Sequence, residues 1–518
     1  MFNASSSQAA ADKAAKVVRK AVVDIGSNSV RLVIYDVAGR SIQPRFNEKV
    51  LAGLGRGMSS TGALNPEGVD AALKALSRFK SLMKAQAVDE EIAFATAAAR
   101  DATDGPEFIA RVRHDIGLSI KVLSGQDEAR LAATGVIAMQ PQTDGVCGDL
   151  GGSSLELSTI VDGYFTGGTT YKLGPLALLS TDWLQKMSAS DIKPADFAGV
   201  AKDLSKTVEE TLASAGELRG SQTDFYMVGG AWRAITRIHM ELTNYPLRVL
   251  QNYAINAEEL IELTNNLITP DKKLLALMNE ISTRRAKTLP AAAAVLNGIL
   301  KVGQFKRAIT ASYGVREGLI YEGLTSEHKA ADPLLAGIKA MIAYNRDATH
   351  FGAALAPWTQ AAARATLPER LSEAACLAAD IGARMHPDHR ADMAFEWLVT
   401  SPHAGLTHEE RAGVALAVAC RYQRGYRHII ASKLLDSDMA AQARALGALM
   451  RLGAHFSGRS ADLLKYARLD VRGGAVYFDV DKEHKELMSE MVRKRLTQAA
   501  TILGMEAKLS FSGEAVEV

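Results

Sequence analysis

The sequence predicts an α/β protein in which two α/β units face one another across a cleft and a mainly helical region follows. Three observations carry this. Short apolar strands alternate with helical patterns as far as about residue 320. A strand, glycine turn and returning strand occurs twice, and beyond residue 320 the texture changes to Ala/Leu-rich helical segments.

From Ala21, AVVDIGSNSVRLVIYDVAGR reads as a strand, a tight Gly/Ser/Asn turn, a returning strand and another turn at Gly39, with Asp24 at the first bend. Residues 69–86 are helix-like, EIAFATAAAR (91–100) is a strand leaving through small residues into Arg100, and KVLSGQDEARLAATGV runs from strand into helix. VCGDLGGSSLELSTIVDGYFTGG then repeats the strand, glycine turn and returning strand, again with an acid at the bend. Superposing Asp24 on Asp149 also pairs Gly26 with Gly151, Ser29 with Ser154 and Leu32 with Leu157, an internal duplication. FATAAAR (94–100) and VGGAWRA (228–234) echo each other in the same way. Helices are expected over 329–346, 370–385, 409–422, 432–454 and 484–503, with RGGAVYFDV (472–480) as a small strand or hairpin. The division implied is a flexible leader over 1–20, α/β domains over 21–145 and 146–322, and the helical domain over 323–518.

Composition sets limits on function. With 518 residues, 47% of them hydrophobic and 23% charged, the chain has material for several cores. Sixty basic against 58 acidic residues leave a net charge of +2, so no global cationic field argues for nucleic acid or membrane. Cys147, Cys376 and Cys420 have no CxxC spacing and form no disulfide framework, which favours a reducing cytosol. The start, MFNASSSQAAADKAAKVVRK, lacks the apolar run of a signal peptide or membrane span, so a soluble cytoplasmic protein is expected.

Two glycine turns can present consecutive backbone N–H groups, supplemented by hydroxyls, to phosphate oxygens from opposite sides. Neither is a GxGxxG opening a helix, and neither contains GxxxxGK[ST]. A surface hairpin is the plain alternative. Asp24 and Asp149, each ending an apolar strand at such a turn, are placed where carboxylates hold a hydrated Mg²⁺ that bridges phosphates, or where they cap a turn. A water attacking phosphorus needs a proton acceptor and positive charge around the transferring oxygens. Glu156 and Glu128 suit the first need, and Arg100, Arg31 and the turn amides the second. Against this, Glu156 and Arg31 could face solvent on returning strands, and Glu128 with Asp127 could cap the helix starting near Ser124 and Gly125.

VVDIGSNSVRLVIYD, VLSGQDEARL and GDLGGSSLEL resemble the successive signatures of the exopolyphosphatase and guanosine pentaphosphate phosphohydrolase family, within the actin, sugar-kinase and heat-shock chaperone ATPase superfamily. FATAAAR, MVGGAWRA, RRAKTLP and SYGVREGLI match in the same order, over roughly residues 20–322. The resemblance implies duplicated ribonuclease-H-like domains and Mg²⁺-dependent release of orthophosphate from inorganic polyphosphate, with guanosine pentaphosphate as the nearest alternative substrate. It also implies Glu128 and Glu156 as the residues that position and activate water, with Arg100 beside the transferred group. Asp24 and Asp149 fall on the metal–phosphate acids. Ser27 and Asn28 fall on the first phosphate turn, Gly151, Gly152, Ser153 and Ser154 on the second, and Gly229 and Gly230 on a later one.

The second turn departs from the usual DIGGGSTEL or DLGGGSxEL. Ser153 replaces a glycine, which requires a backbone compatible with a Cβ, and Leu155 replaces a frequent threonine and so removes a hydroxyl. Ala95 stands where glycine is common. Long members of the family carry a C-terminal domain resembling HD phosphohydrolases, and AACLAADIGARMHPDHRADMAFEWL (374–398) is similar to that region in degenerate form. Ala379 precedes Asp380 where an intact pair needs histidine, leaving His386 and His389, so no second hydrolase activity is expected. RYQRGYRH gathers Arg421, Arg424 and Arg427, which either line a path for the phosphate chain or face solvent. No nucleic-acid-binding motif accompanies them. The resemblance implies a homodimer built through the C-terminal helices. A nucleotide-dependent kinase or chaperone-like ATPase, and a catalytically weakened phosphate- or alarmone-binding regulator, are the competing function classes.

Overall fold

The computed structural model describes residues 16–179, 195–219, 223–283 and 285–516. Most of the expected leader, and Arg284 of the RRAKTLP segment, lie outside these. The chain divides into two compact units, Val17–Ala330 and Ala331–Val518. Both expected α/β domains fall in the first of these, which also includes the short Ser326–Ala330 helix. The leader is also shorter than expected. Val18, Arg19 and Lys20 already pair with Val37, Asp36 and Tyr35 in the first sheet.

That sheet contains β1 (Val18–Ile25), β2 (Val30–Ala38), β3 (Ser41–Val50), β4 (Glu90–Ala95) and β5 (Ile120–Val122), in the order β3-β2-β1-β4-β5. The first three strands form an antiparallel meander, and β4 and β5 add in parallel. The second sheet contains β6 (Gly145–Leu150), β7 (Leu155–Val161), β8 (Tyr164–Tyr171), β9 (Asp224–Val228), β10 (Ala254–Asn256) and β11 (Arg307–Thr310), in the order β10-β11-β9-β6-β7-β8. From its far edge, β8-β7-β6-β9-β11 repeats the plan of the first sheet, with β10 added antiparallel to β11. Even an irregularity recurs. Pairing of β2 with β3 shifts between Ile34 and Tyr35, and pairing of β7 with β8 shifts between Thr159 and Ile160.

The centre of each sheet is apolar on both faces because both faces are covered. On the outer face of the first sheet, the Pro66–Ala85 helix presents Ala72, Leu76, Phe79 and Met83 to Val23, Ile25 and Leu32. On the outer face of the second, Trp232 and the apolar Leu289–Gly303 helix complete a larger core. Between the sheets, Val22, Val33 and Phe94 join Leu131, Val136, Cys147, Tyr226 and Val228 in a shared core. There the Gly125–Met139 helix crosses the Val315–Glu322 helix at backbone contact. A Cβ on Gly135 would stand 2.3 Å from the Gly314 carbonyl oxygen, and one on Gly318 would stand 2.1 Å from that of Leu131.

The second unit is mainly helical as expected, with two differences. The expected 329–346 and 370–385 helices are shorter, ending at Ile342 and Leu377. RGGAVYFDV forms the turn and second strand of a four-stranded sheet, β12 (Ala467–Arg472), β13 (Ala475–Val480), β14 (Glu506–Phe511) and β15 (Glu514–Val516), in that order. The Glu490–Leu503 helix provides the crossover between β13 and the parallel β14. Its Val492 and Leu496 pack with Leu449, Leu452 and Phe456 of the Ser437–Ser457 helix against Phe478. No helix among the described residues is long and apolar enough to cross a membrane.

Candidate active site

The two glycine turns have the same construction. Asp24 pairs with Arg31 across the first hairpin and Asp149 with Glu156 across the second. The Gly26 amide donates to the Ser29 carbonyl at 3.0 Å, and the Gly151 amide to the Ser154 carbonyl at 3.0 Å. The first turn is braced from behind by amides of Gly53 and Gly55, which donate to the Asn28 and Ser27 carbonyls. The second is braced by Gly174 and Leu176, which donate to Ser153 and Gly152. Ser27, Gly152, Ser153 and Ser154 are half-buried and Asn28 and Gly151 exposed, so the turns remain open to an anion.

The irregular residues of the second turn are accommodated by the fold. Ser153 is not in the left-handed backbone region, so its Cβ carries no conformational penalty. Close approach is taken up by Gly174, where a Cβ would meet the Ser153 carbonyl carbon at 2.2 Å. Leu155 is fully buried in the core of the second sheet, facing away from Glu156 because neighbouring side chains on a strand alternate. Ala95 is likewise in the core of the first sheet.

Glu128 and Glu156 come together with the two aspartates. Asp127, not Glu128, caps its helix: it forms a reciprocal pair with Ser124. This leaves Glu128 free to turn inward, where it is buried and accepts from Arg100 Nη1 at 2.7 Å. Arg100 is fixed in turn by the Leu123 carbonyl at 2.9 Å and by Asp101 at 3.0 Å. Burial raises the Glu128 carboxyl to about 7, against the pull of Arg100, with Asp149 and Asp24 adding repulsion. Glu156 is 3% exposed, and its Oε1 has no hydrogen-bond partner. Burial pushes Glu156 well above the usual carboxylate range, and Glu128 and Asp149 push the same way. Asp149 is raised to about 6 by burial, opposed by Arg233 and reinforced by Asp24. Asp24 is raised by burial, opposed by Arg316 and Arg31. Both aspartates stay partly accessible although protein surrounds them.

Gly229 and Gly230 reach the same place from β9. Gly229 has a φ of +114°, and a Cβ there would lie 2.6 Å from the Leu150 carbonyl oxygen, directly behind the second turn. This approach starts the Gly230–Leu242 helix and brings Arg233 to the Asp149 side of the site. Burial and the neighbouring Arg316 lower Arg233 to about 10. Sequence reasoning assigned no role to Arg233, in MVGGAWRA, or to Arg316 and Glu317, in SYGVREGLI. Arg316 Nε lies 3.9 Å from Asp24, and its buried Nη1 has no partner. Burial works against its charge, but Glu317, Tyr35, Asp24 and Asp149 hold it above the ordinary arginine value. Glu317 is itself fixed, accepting from Tyr35 Oη at 2.5 Å and from the Gly314 amide at 2.9 Å.

The site therefore combines two open amide turns, two aspartates, a buried pair of glutamates and guanidiniums from Arg100, Arg233 and Arg316. Such an arrangement can hold a polyanion, and the buried, partnerless Glu156 Oε1 can take a proton. Among the described residues no three His, Cys, Asp or Glu gather to form a metal cage. Two aspartates nevertheless suit Mg²⁺, which keeps several waters and takes further ligands from substrate phosphates.

The three arginines of RYQRGYRH separate. Arg421 is 7% exposed and ion-paired to the equally buried Asp380, so it is a structural residue and not part of a surface path for a chain. Arg424 and Arg427 are exposed. Asp380, the remaining acid of the HD-like segment, is thus occupied by Arg421, and His386 and His389 lie at the surface.

Comparison with known proteins agrees with these features. A profile of the Ppx/GppA phosphatase family matches residues 32–327, and one for the C-terminal region of exopolyphosphatases matches residues 345–511. Exopolyphosphatase 1 of Mycobacterium tuberculosis is 27% identical over 329 residues, covering 60% of this chain and 89% of that protein. Retrograde regulation protein 2 of Saccharomyces cerevisiae is 24% identical over 436 residues, covering 77% of this chain and 72% of that protein. In fold, the chain is similar to the Aquifex aeolicus member of the Ppx/GppA family, with a TM-score of 0.51, 21% identity and coverage of 59% and 97%. An exopolyphosphatase from Cytophaga hutchinsonii gives the same TM-score of 0.51, identity of 21% and coverage of 59% and 97%. The duplicated sheets are the actin-like arrangement of these proteins.

Proposed function

Because the chain belongs to the Ppx/GppA phosphatase family, we propose that it is an exopolyphosphatase, removing the terminal phosphate of inorganic polyphosphate as orthophosphate. The observation that carries the reading is the buried, partnerless Oε1 of Glu156 beside two open glycine turns. A terminal phosphoryl group held by the turn amides and by Arg100 lies within a field of donors that offsets its charge. A water oxygen attacks phosphorus as the bond to the bridging oxygen breaks, the water proton passes to Glu156 Oε1, and the shortened chain departs with the bridging oxygen. Glu128, locked by Arg100, orients the water. In its ionised form Glu156 is the more basic acceptor of the two, because burial disfavours its charge and Arg100 already occupies Glu128. Asp24 and Asp149 would hold Mg²⁺, which when bound withdraws charge from the phosphoryl oxygens.

The test is orthophosphate release by the purified protein from long polyphosphate, guanosine pentaphosphate and ATP, with and without a chelator, for wild type and Glu156→Gln. Release from polyphosphate that depends on Mg²⁺ and on Glu156 is expected. Preference for guanosine pentaphosphate would move the assignment to the other activity of the family, and strong ATP turnover with little on polyphosphate would move it to an ATPase. A cytoplasmic location and association of two chains belong to the same reading. A monomer mass independent of concentration in sedimentation would remove the second.

A further inference from the structure

The C-terminal unit contains a second cationic site. A pocket of about 130 Å³ is bounded by Cys420, Arg424 and Gly425, by Arg444, Ala448 and Arg451 of the Ser437–Ser457 helix, and by Arg495, Gln498 and Ile502 of the Glu490–Leu503 helix. On each helix the three residues recur at three- or four-residue steps, so each turns one face to the pocket. Four guanidiniums converge there, and none of the lining residues is an acid.

The protein itself does little to satisfy them. Arg451 Nε and Nη1 and Arg495 Nε are buried without hydrogen-bond partners. Arg444 uses one nitrogen on the Tyr426 carbonyl at 2.7 Å, and Arg495 uses one on Gln498 at 2.7 Å. No ion pair within 4.0 Å is formed by Arg424, Arg444, Arg451 or Arg495 among the described residues. Burial lowers Arg451, and repulsion from Arg495, Arg421 and Arg424 lowers it further. Burial lowers Arg495 as well, with Arg424 adding repulsion. Contrast Arg421 close by, whose charge is matched by Asp380. Gathering like charges with unused donors is unfavourable unless an anion completes the site.

We propose that this pocket binds a small anion carrying at least two consecutive phosphoryl groups, at a site distinct from the turns that hold the transferred phosphate. A terminal phosphoryl group carries nearly two negative charges at neutral pH and each further one in a chain about one, so four guanidiniums call for at least a diphosphate. A pocket of about 130 Å³ has room for a short phosphate chain or the phosphates of a nucleotide. The forked donors of arginine match phosphate oxygens in pairs.

The test uses full-length protein carrying Glu156→Gln, so that phosphate probes persist, and titrates it calorimetrically with tripolyphosphate and with ADP. Two classes of site are expected for at least one probe. Adding Arg451→Gln and Arg495→Gln should weaken one class at least tenfold and leave the other in place. Arg424→Gln, at an exposed position that folding does not depend on, should weaken the same class by a smaller factor. Amide exchange should show protection of 444–451 and 495–502 on adding the probe that binds. Response to tripolyphosphate identifies a phosphate chain as the source of the ligand, and response to ADP a nucleotide. Titrations unchanged by all three arginine substitutions, or no protection in either segment, would overturn the proposal. Failure of the hydrolase reading would appear separately, as wild-type protein that releases no orthophosphate.

Discussion

Glu156 shows how one side chain is made reactive by what surrounds it. Removing its carboxylate as Glu156→Gln keeps the shape and abolishes proton acceptance, so orthophosphate release should fall by about 10²–10⁴, the usual contribution of a general base. The same substitution removes a carboxyl whose ionisation burial disfavours, so thermal melting should show equal or higher stability. Loss of activity together with a lowered melting temperature would point to a structural role. Leu155 gives the opposite pattern. It is fully buried in an apolar core, so Leu155→Thr, which restores the residue frequent in the family, should cost about 1–3 kcal/mol in denaturant unfolding. Turnover per folded molecule should stay within about threefold, because the side chain faces away from the phosphate turn; a large change in kcat would contradict that placement.

At the scale of elements, the site depends on close backbone approach. The crossing of the Gly125–Met139 and Val315–Glu322 helices delivers Glu128 from one and Arg316 from the other. Gly318→Ala places a Cβ 2.1 Å from the Leu131 carbonyl oxygen. The helices must then separate, and a loss of about 2–4 kcal/mol is expected, with reduced activity, as judged by urea unfolding and phosphate release. In the C-terminal unit, Arg421→Gln should cost about 2–4 kcal/mol by taking from the buried Asp380 its close partner and leaving it only Arg459 at 4.0 Å, while KM for polyphosphate is unchanged. A raised KM with intact stability would restore Arg421 to a chain-binding role.

For the whole molecule, the carboxyl cluster links stability to pH. Glu128 at about 7 and Asp149 at about 6 lie above ordinary values of 4.5 and 3.8, and Asp24 and Glu156 are also raised. The folded state therefore holds protons that the unfolded chain has released. This contribution is fully favourable below the unfolded values and is lost as pH rises through 6 and 7. Asp149 alone accounts for a loss on the order of 1–2 kcal/mol, allowing for solvent that reaches it. Melting temperature should fall from pH 5 to pH 8, and Glu128→Gln should flatten that fall; equal slopes in the two proteins would count against the shifts. Mg²⁺ added at pH 8 should recover part of the loss if the aspartates bind it.

The sequence by itself determined the repeat and its chemistry. Alternating apolar strands, glycine turns and the matched positions of Asp24 and Asp149 are local patterns, governed by backbone sterics and by which residues a turn tolerates. The same superposition puts Arg31 on Glu156, and strand pairing sets each of them opposite its aspartate. What the tertiary structure decided are matters of encounter between distant segments. Arg100 meets Glu128, Arg233 approaches Asp149, and Arg316 comes within 3.9 Å of Asp24. The sequence contained these arginines without saying which carboxylate each would face. The same reason applies to Arg421, for which the sequence allows a phosphate-chain path or a solvated face, whereas the fold sets the buried Asp380 against it. It also explains the C-terminal sheet, whose β14 is short and gains its partner only when the Glu490–Leu503 helix returns the chain beside β13. Local sterics are written in adjacent residues, whereas burial and charge pairing depend on what long-range packing brings alongside.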